Sequence, residues 1–170
     1  MIKNLFELLP IHQYEEKIEV SDWVKENQDL GVLGEKIVKK FLKSKYGAKV
    51  IKEKDYKGYD LWVQINDEGF AVEVKTTESD LNTFFLTITE VLKAREMGQL
   101  YNIYRVLKKG NIYKIYILND PIKILKINTD ILKNGYKNEF VEIYWKDFRI
   151  TVSDDVFKRI PAFEFVDIEC

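Results

Sequence analysis

Two carboxylates and an amine stand at a spacing suited to phosphate chemistry. Asp60 heads the apolar run "YDLWVQI", and Glu73 and Lys75 sit two apart inside the next, "FAVEVKTT". Apolar strands do not carry ionised groups without a partner, because an unpaired buried charge is costly. Side chains alternate along a strand, so Glu73 and Lys75 share one face while Val72 and Val74 share the other. Two neighbouring carboxylates repel, and one pKa rises unless a cation lies between them. A hard dication such as Mg²⁺ resolves the conflict: it takes carboxylate oxygens, keeps several waters and polarises a phosphoryl oxygen. The carbonyl of Val74, between the two functional side chains, is a further candidate ligand. Lys75 could steer or deprotonate a water, or offset charge on a pentavalent phosphate.

The elements around these residues must position them. "YDLWVQI" and "FAVEVKTT" read as two strands joined by "NDEG", a four-residue turn with its glycine at the end. Counting from that turn sets Asp60 nearest Lys75; a register offset or a twist of the sheet end still keeps it within reach of Glu73. Upstream, Ser21 or Asp22 could cap a short helix "WVKENQDL" that stops at Gly31. In "LGEKIVKKFLKSKYG" the apolar Leu33, Ile37, Val38, Phe41 and Leu42 recur at helical spacing, with Lys36, Lys39, Lys40 and Lys43 opposite and Gly47 as the stop. Residues 48–54 are a strand or an extended connection. After the hairpin come a strand-like "NTFFLTI" and a helix "TITEVLKAREMG", in which Thr87 and Glu90 fit a capping box and Gly98 the C-terminal stop. "YNIYRVL" and "IYKIYIL" flank "KKGN" as a second hairpin, and "INTDILKNG" could be a short helix. The sequence thus predicts an α/β or α+β domain on a mixed sheet.

Composition narrows the chemistry. The 170 residues fit one compact domain, and 46% hydrophobic with 14% aromatic content supports a real core. With 27 basic and 28 acidic residues the net charge is -1, so any polyanion must be met by local lysine clusters. One cysteine, Cys170, and one histidine, His12, exclude an intrachain disulfide and cysteine-based or histidine-rich metal sites. A Ser-His-Asp triad would need His12 itself as base. No apolar h-region opens the chain and no run approaches the roughly 18 residues of a membrane span, so a soluble, cytoplasmic protein without membrane contact is expected.

The acidic residue, spacer and acidic-x-Lys order resembles the PD-(D/E)XK (restriction-endonuclease-like) nuclease superfamily. Here it runs Tyr59-Asp60, a twelve-residue spacer, then Glu73-Val74-Lys75, with Tyr59 where the superfamily motif has proline. Many members carry a glutamate on the helix before the hairpin, and Glu35 in "LGEKIV" matches it. "GVLGEKIVKKFL", "KGYDLWV", "AVEVKTT", "FFLTITEVLKA" and "YNIYRVL" are similar, more narrowly, to the NO VEIN C-terminal domain family over roughly residues 28–108. The resemblance implies a restriction-endonuclease-like core over 28–118, an N-terminal helical extension over 1–27 and a C-terminal, strand-rich extension over 119–170. It implies a Mg²⁺-dependent DNA endonuclease, Mn²⁺ substituting, in a defence or repair setting. Asp60, Glu73 and Val74 would hold metal, Lys75 would act on water, and Glu35 would assist through a second metal or a bound water.

Plainer readings stand beside these. Glu35 is also a first-turn glutamate favoured by the helix dipole. Thr76 and Thr77 could touch phosphate but are good strand formers. Lys93, Arg95, Lys108 and Lys109 could meet a DNA backbone, though solvated surface charge is the common explanation. Tyr101, Tyr104, Tyr113 and Tyr116 could stack on bases, yet strand positions in a core account for them more simply. Two readings compete with the enzyme: a nuclease-fold module that only binds nucleic acid or a protein partner, and a homo-oligomer, such as a homodimer, paired through tail strands.

Overall fold

The computed structural model describes residues 22–53, 57–79, 81–129, 136–137, 142–143 and 147–166. The expectations for residues 1–21, including His12 and the cap at Ser21, for most of a helix over 127–135, and for Cys170 lie outside the described residues.

The described chain runs α1 (Asp22–Tyr46), β1 (Lys49–Lys52), β2 (Leu61–Ile65), β3 (Glu68–Thr77), β4 (Thr83–Thr87), α2 (Ile88–Met97), β5 (Tyr101–Lys109), β6 (Ile112–Asn119) and α3 (Pro121–Ile124). Then follow β7 (Tyr136–Lys137), β8 (Glu142–Ile143), β9 (Asp147–Thr151), α4 (Asp154–Arg159) and β10 (Ala162–Val166). The main sheet has six strands in the order β1-β2-β3-β5-β6-β10, while β4 pairs with β9 and β7 with β8. Among the described strands only β3 and β5 run parallel, which the crossover through α2 requires. Among the described residues no helix is long and apolar enough to cross a membrane.

Alternation along the strands divides the core into two layers. Val72 and Val74 of β3 meet Ile37, Val38, Phe41 and Leu42 of α1, together with Leu61, Val63, Val106 and Ile115. Ala71 turns the other way, toward Val91 and Ala94 of α2, with Tyr101, Ile103, Leu86 and Leu118. Glu73 and Lys75 therefore lie on the α2 face. Tyr101, Tyr104, Tyr113 and Tyr116 are all buried, so they belong to the core and offer no rings to bases.

Two expectations need correction. One continuous helix covers Asp22–Tyr46, passing through both Gly31 and Gly34. A glycine inside a helix costs only about 1 kcal/mol relative to alanine, and the packed apolar stripe of α1 outweighs it. The hairpin turn is two residues long, not four: Asn66 and Asp67 both take positive φ, 47° and 68°. Asn and Asp tolerate that left-handed conformation, and two such residues give the tight turn whose twist matches the flanking strands. Glu68 then pairs with Ile65, and Val72 with Leu61. The ladder ends there; continued one step, its register would set Asp60 opposite Glu73 and not Lys75. Gly69 serves another purpose, since a Cβ there would lie 2.4 Å from the Trp62 ring.

Candidate active site

Asp60 sits one residue before β2, yet both its backbone groups are fixed. Its N–H donates to the Val72 carbonyl at 3.1 Å, and its carbonyl accepts from Glu53 N–H at 2.8 Å. The turn before it is pinned against β5 and α2: Tyr101 OH, at the start of β5, donates to the Gly58 carbonyl at 2.8 Å. Gly58, at φ 77°, lies so close to Thr89 and Lys93 that a Cβ would fall 2.9 Å from the Thr89 carbonyl oxygen.

Beyond Val72, β3 continues without β2 beside it, and the Asp60 side chain takes the vacated place. Val74 N–H donates to Asp60 Oδ2 at 2.7 Å. In a strand, a residue's N–H and C=O face the same neighbour, so the Val74 carbonyl also faces the Asp60 flank. This opening is a cleft of about 290 Å³ lined by Gly31, Glu35, Asp60, Glu73, Lys75 and Glu90, among others. Glu35 reaches it from α1, on the opposite face of the sheet, and pairs with Lys52 at 2.7 Å.

Lys75 Nζ lies 2.7 Å from Glu73 Oε1. It also donates to both carboxylate oxygens of Glu90, each at 3.1 Å. Glu73 is the most enclosed member, its side chain 4% exposed. Burial drives its carboxyl well above the usual range; Lys75 opposes this, and Asp60 and Glu90 add to the rise. Asp60 is raised from 3.8 to about 6, chiefly by burial, with the Val74 hydrogen bond pulling the other way. For Lys75, burial alone would lower the pKa, but Glu73 and Glu90 outweigh it and the ammonium is held above its ordinary value.

The structure thus gathers Asp60, Glu73, Val74, Lys75 and Glu35 around one opening. Two further residues escaped the sequence reading. Glu90 was visible only as the N3 position of a capping box, which it does form: Thr87 Oγ1 accepts from Glu90 N–H, and Thr87 N–H donates to Glu90 Oε2. Nothing in that local pattern indicates that the same carboxylate faces Lys75. Arg105 on β5 is 2% exposed and pairs in register with Lys75. Its guanidinium donates to the carbonyls of Leu81 (2.9 Å), Lys75 (3.0 Å) and Thr83 (2.9 Å), fixing the β3–β4 connection. The signal for it was a charge in the apolar run "YNIYRVL", the same kind of signal that exposed Glu73.

Two of the lysines considered for DNA contact are engaged with nearby carboxylates. Lys93 pairs with Glu96 at 2.7 Å, and Lys108 with Glu78.

The donor set fits a hard divalent ion. Asp60 and Glu73 are oxygen donors whose ionised forms burial disfavours, and a cation between them would relieve that. Among the described residues no three carboxylates come close enough to share one ion. Mg²⁺ does not need three, since it commonly takes one or two carboxylates and retains waters.

The profile of the family described as Protein NO VEIN, C-terminal, matches residues 34–118, which include every residue of the cleft except Gly31. The chain belongs to that family. The matched residues supply the helix, antiparallel strands, crossover helix and parallel strand described above, a PD-(D/E)XK-like arrangement. Among solved structures, the chain is similar to the Holliday junction resolvase Hjc of Archaeoglobus fulgidus, an archaeal hyperthermophile. That likeness covers 76% of this chain and 90% of the resolvase, at 18% identity and a TM-score of 0.42. No curated protein matches the sequence.

Proposed function

We propose that the cleft is the active site of a metal-dependent phosphodiesterase that cleaves DNA. The observation that carries this is the convergence of Asp60, Glu73 and the Val74 flank on one opening, with the Lys75 ammonium 2.7 Å from Glu73. Asp60, Glu73 and the Val74 carbonyl would hold Mg²⁺, or Mn²⁺ in its place, which supplies Lewis-acid charge to a phosphodiester oxygen. Asp60 commits Oδ2 to Val74 and keeps Oδ1 for a ligand. Lys75, held in its charged form, acts by charge and position: it orients water and offsets negative charge on the phosphate. Glu35 enters from α1 on the far side of the opening, where it can hold water or a second cation.

The test is cleavage of plasmid and branched DNA with Mg²⁺ or Mn²⁺, comparing wild type with Lys75→Ala and Asp60→Ala. Wild-type cutting lost in both variants supports the reading; equal cutting by all three overturns it.

One observation favours the second reading, a non-cleaving binding module. Lys75 already supplies counter-charge to Glu73 and Glu90 without any metal. On that reading the cluster is an ion triad that fixes the sheet end. Calorimetric titration with Mg²⁺ separates the two: heat in wild type that disappears in Asp60→Ala marks the enzyme, and no heat in either marks the module.

A further inference from the structure

Lys75 is shared by two carboxylates with different surroundings. Glu73 projects from the same strand and lines the cleft beside Asp60, so on the reading above it must also serve a divalent cation. Glu90 comes from α2 and is held at both ends of its reach. Its Oε2 accepts from Thr87 N–H at 2.9 Å, while both its oxygens accept from Lys75 Nζ. A lysine has a long flexible stem and three N–H donors, and it stays in one place only when several acceptors fix it. The N-terminus of α2 is a rigid mount for such an acceptor, and the helix dipole favours a negative charge there.

We propose that Glu90 is the positioning residue for Lys75: it anchors the ammonium at the mouth of the cleft and leaves Glu73 available to a cation. The catalytic consequence rests on the phosphodiesterase reading; the anchoring does not. Capping alone asks little of Glu90, because Thr87 N–H needs one acceptor oxygen and glutamine provides it. Holding Lys75 needs two oxygens and a charge. Glu90→Gln therefore separates the roles, and Thr87→Ala is its complement, since it removes the hydroxyl half of the cap but keeps the backbone N–H that tethers Glu90.

The experiment records the lysine ammonium ¹⁵N–¹H signals of the ¹⁵N-labelled full chain at mildly acidic pH and low temperature, with the Lys75 signal assigned by its loss in Lys75→Arg. Wild type and Thr87→Ala should show an ordered Lys75 signal, and Glu90→Gln should lose it while circular dichroism and the melting temperature show an intact fold. In DNA cleavage, Glu90→Gln should lower kcat by about tenfold or more with KM little changed, and Thr87→Ala should keep kcat. The proposal is overturned if Lys75 gives no ordered signal in wild type, if Glu90→Gln leaves the signal intact, or if Thr87→Ala loses as much as Glu90→Gln. If wild type shows the ordered signal but cuts no DNA, the anchor stands and the phosphodiesterase reading falls.

Discussion

Gly34 offers the sharpest test of how α1 is set against the site. A Cβ built there lies 1.7 Å from Thr76 Oγ1, 2.9 Å from Thr76 Cβ and 3.3 Å from Thr76 Cγ2. Rotating Thr76 about χ1 can move the hydroxyl but not Cβ, so no rotamer relieves the second contact. Reaching ordinary van der Waals separation requires α1 and β3 to part by roughly 0.6 Å from the Cβ contact alone. Overpacking of this kind costs about 1–3 kcal/mol, against a helix-propensity gain of about 1 kcal/mol for replacing glycine. Gly34→Ala should therefore be net destabilising by about 1–2 kcal/mol, read as a lower urea midpoint at unchanged m. It should also reduce DNA cleavage, because Glu35 is the next residue and moves with the helix. Thr76→Ala removes a buried hydroxyl with no hydrogen-bond partner among the described residues and should be close to neutral by itself. Combined with Gly34→Ala it should recover part of the loss, though not all, since the 2.9 Å Cβ contact persists. Gly31, one turn earlier, is the internal control: a Cβ there meets nothing within 4 Å, so Gly31→Ala should stabilise by up to about 1 kcal/mol. Gly34→Ala as stable as wild type, or equally costly with and without the Thr76 hydroxyl, would refute the reasoning.

Other outcomes follow from the same geometry. The folded Asp60 carboxyl at about 6 lies above its unfolded 3.8, so its contribution favours the fold below the lower value and is lost as pH rises through the upper one. The loss is on the order of 3 kcal/mol at most, because Asp60 is partly exposed. Asp60→Asn keeps an acceptor for Val74 N–H, so in EDTA it should melt higher than wild type near neutral pH, with the advantage vanishing in acid; a constant difference across pH would contradict this. Mg²⁺ should raise the wild-type melting temperature in a concentration-dependent way and leave Asp60→Asn unmoved, checked by calorimetry. Arg105→Leu leaves three carbonyls without their donor and should cost about 3 kcal/mol or more, measured by urea unfolding; a cost under 1 kcal/mol would show that those bonds do not hold the β3–β4 connection.

What the sequence disclosed, and what it hid, divides along physical lines. Alternation in "FAVEVKTT" was enough to put Glu73 and Lys75 on one face, because a strand has period two whatever its neighbours do. The capping box of Thr87 and Glu90 was legible for a similar reason, being complete within four consecutive residues. The partner of Asp60 was not. It depends on where the turn ends, and Gly69 looked like a turn residue although its missing side chain makes room for Trp62, which belongs to another strand. Ending the turn two residues too late slides the partner of Asp60 from Glu73 to Lys75, two positions along the same face. Gly31 and Gly34 posed the same ambiguity within α1: one has open space and one is a contact point, and no local pattern distinguishes them. Glu90 was concealed by the sufficiency of its local role, since a side chain already explained by a cap draws no search for a second partner. Arg105 was open to the argument applied to Glu73, a charge within an apolar strand, and its three carbonyl partners answer the demand that such a charge be satisfied. A charged residue in a run that must be buried therefore reports a tertiary partner even where it cannot say which one. In this chain the two that did so, Glu73 and Arg105, lie on adjacent strands within two positions of Lys75 or directly across from it.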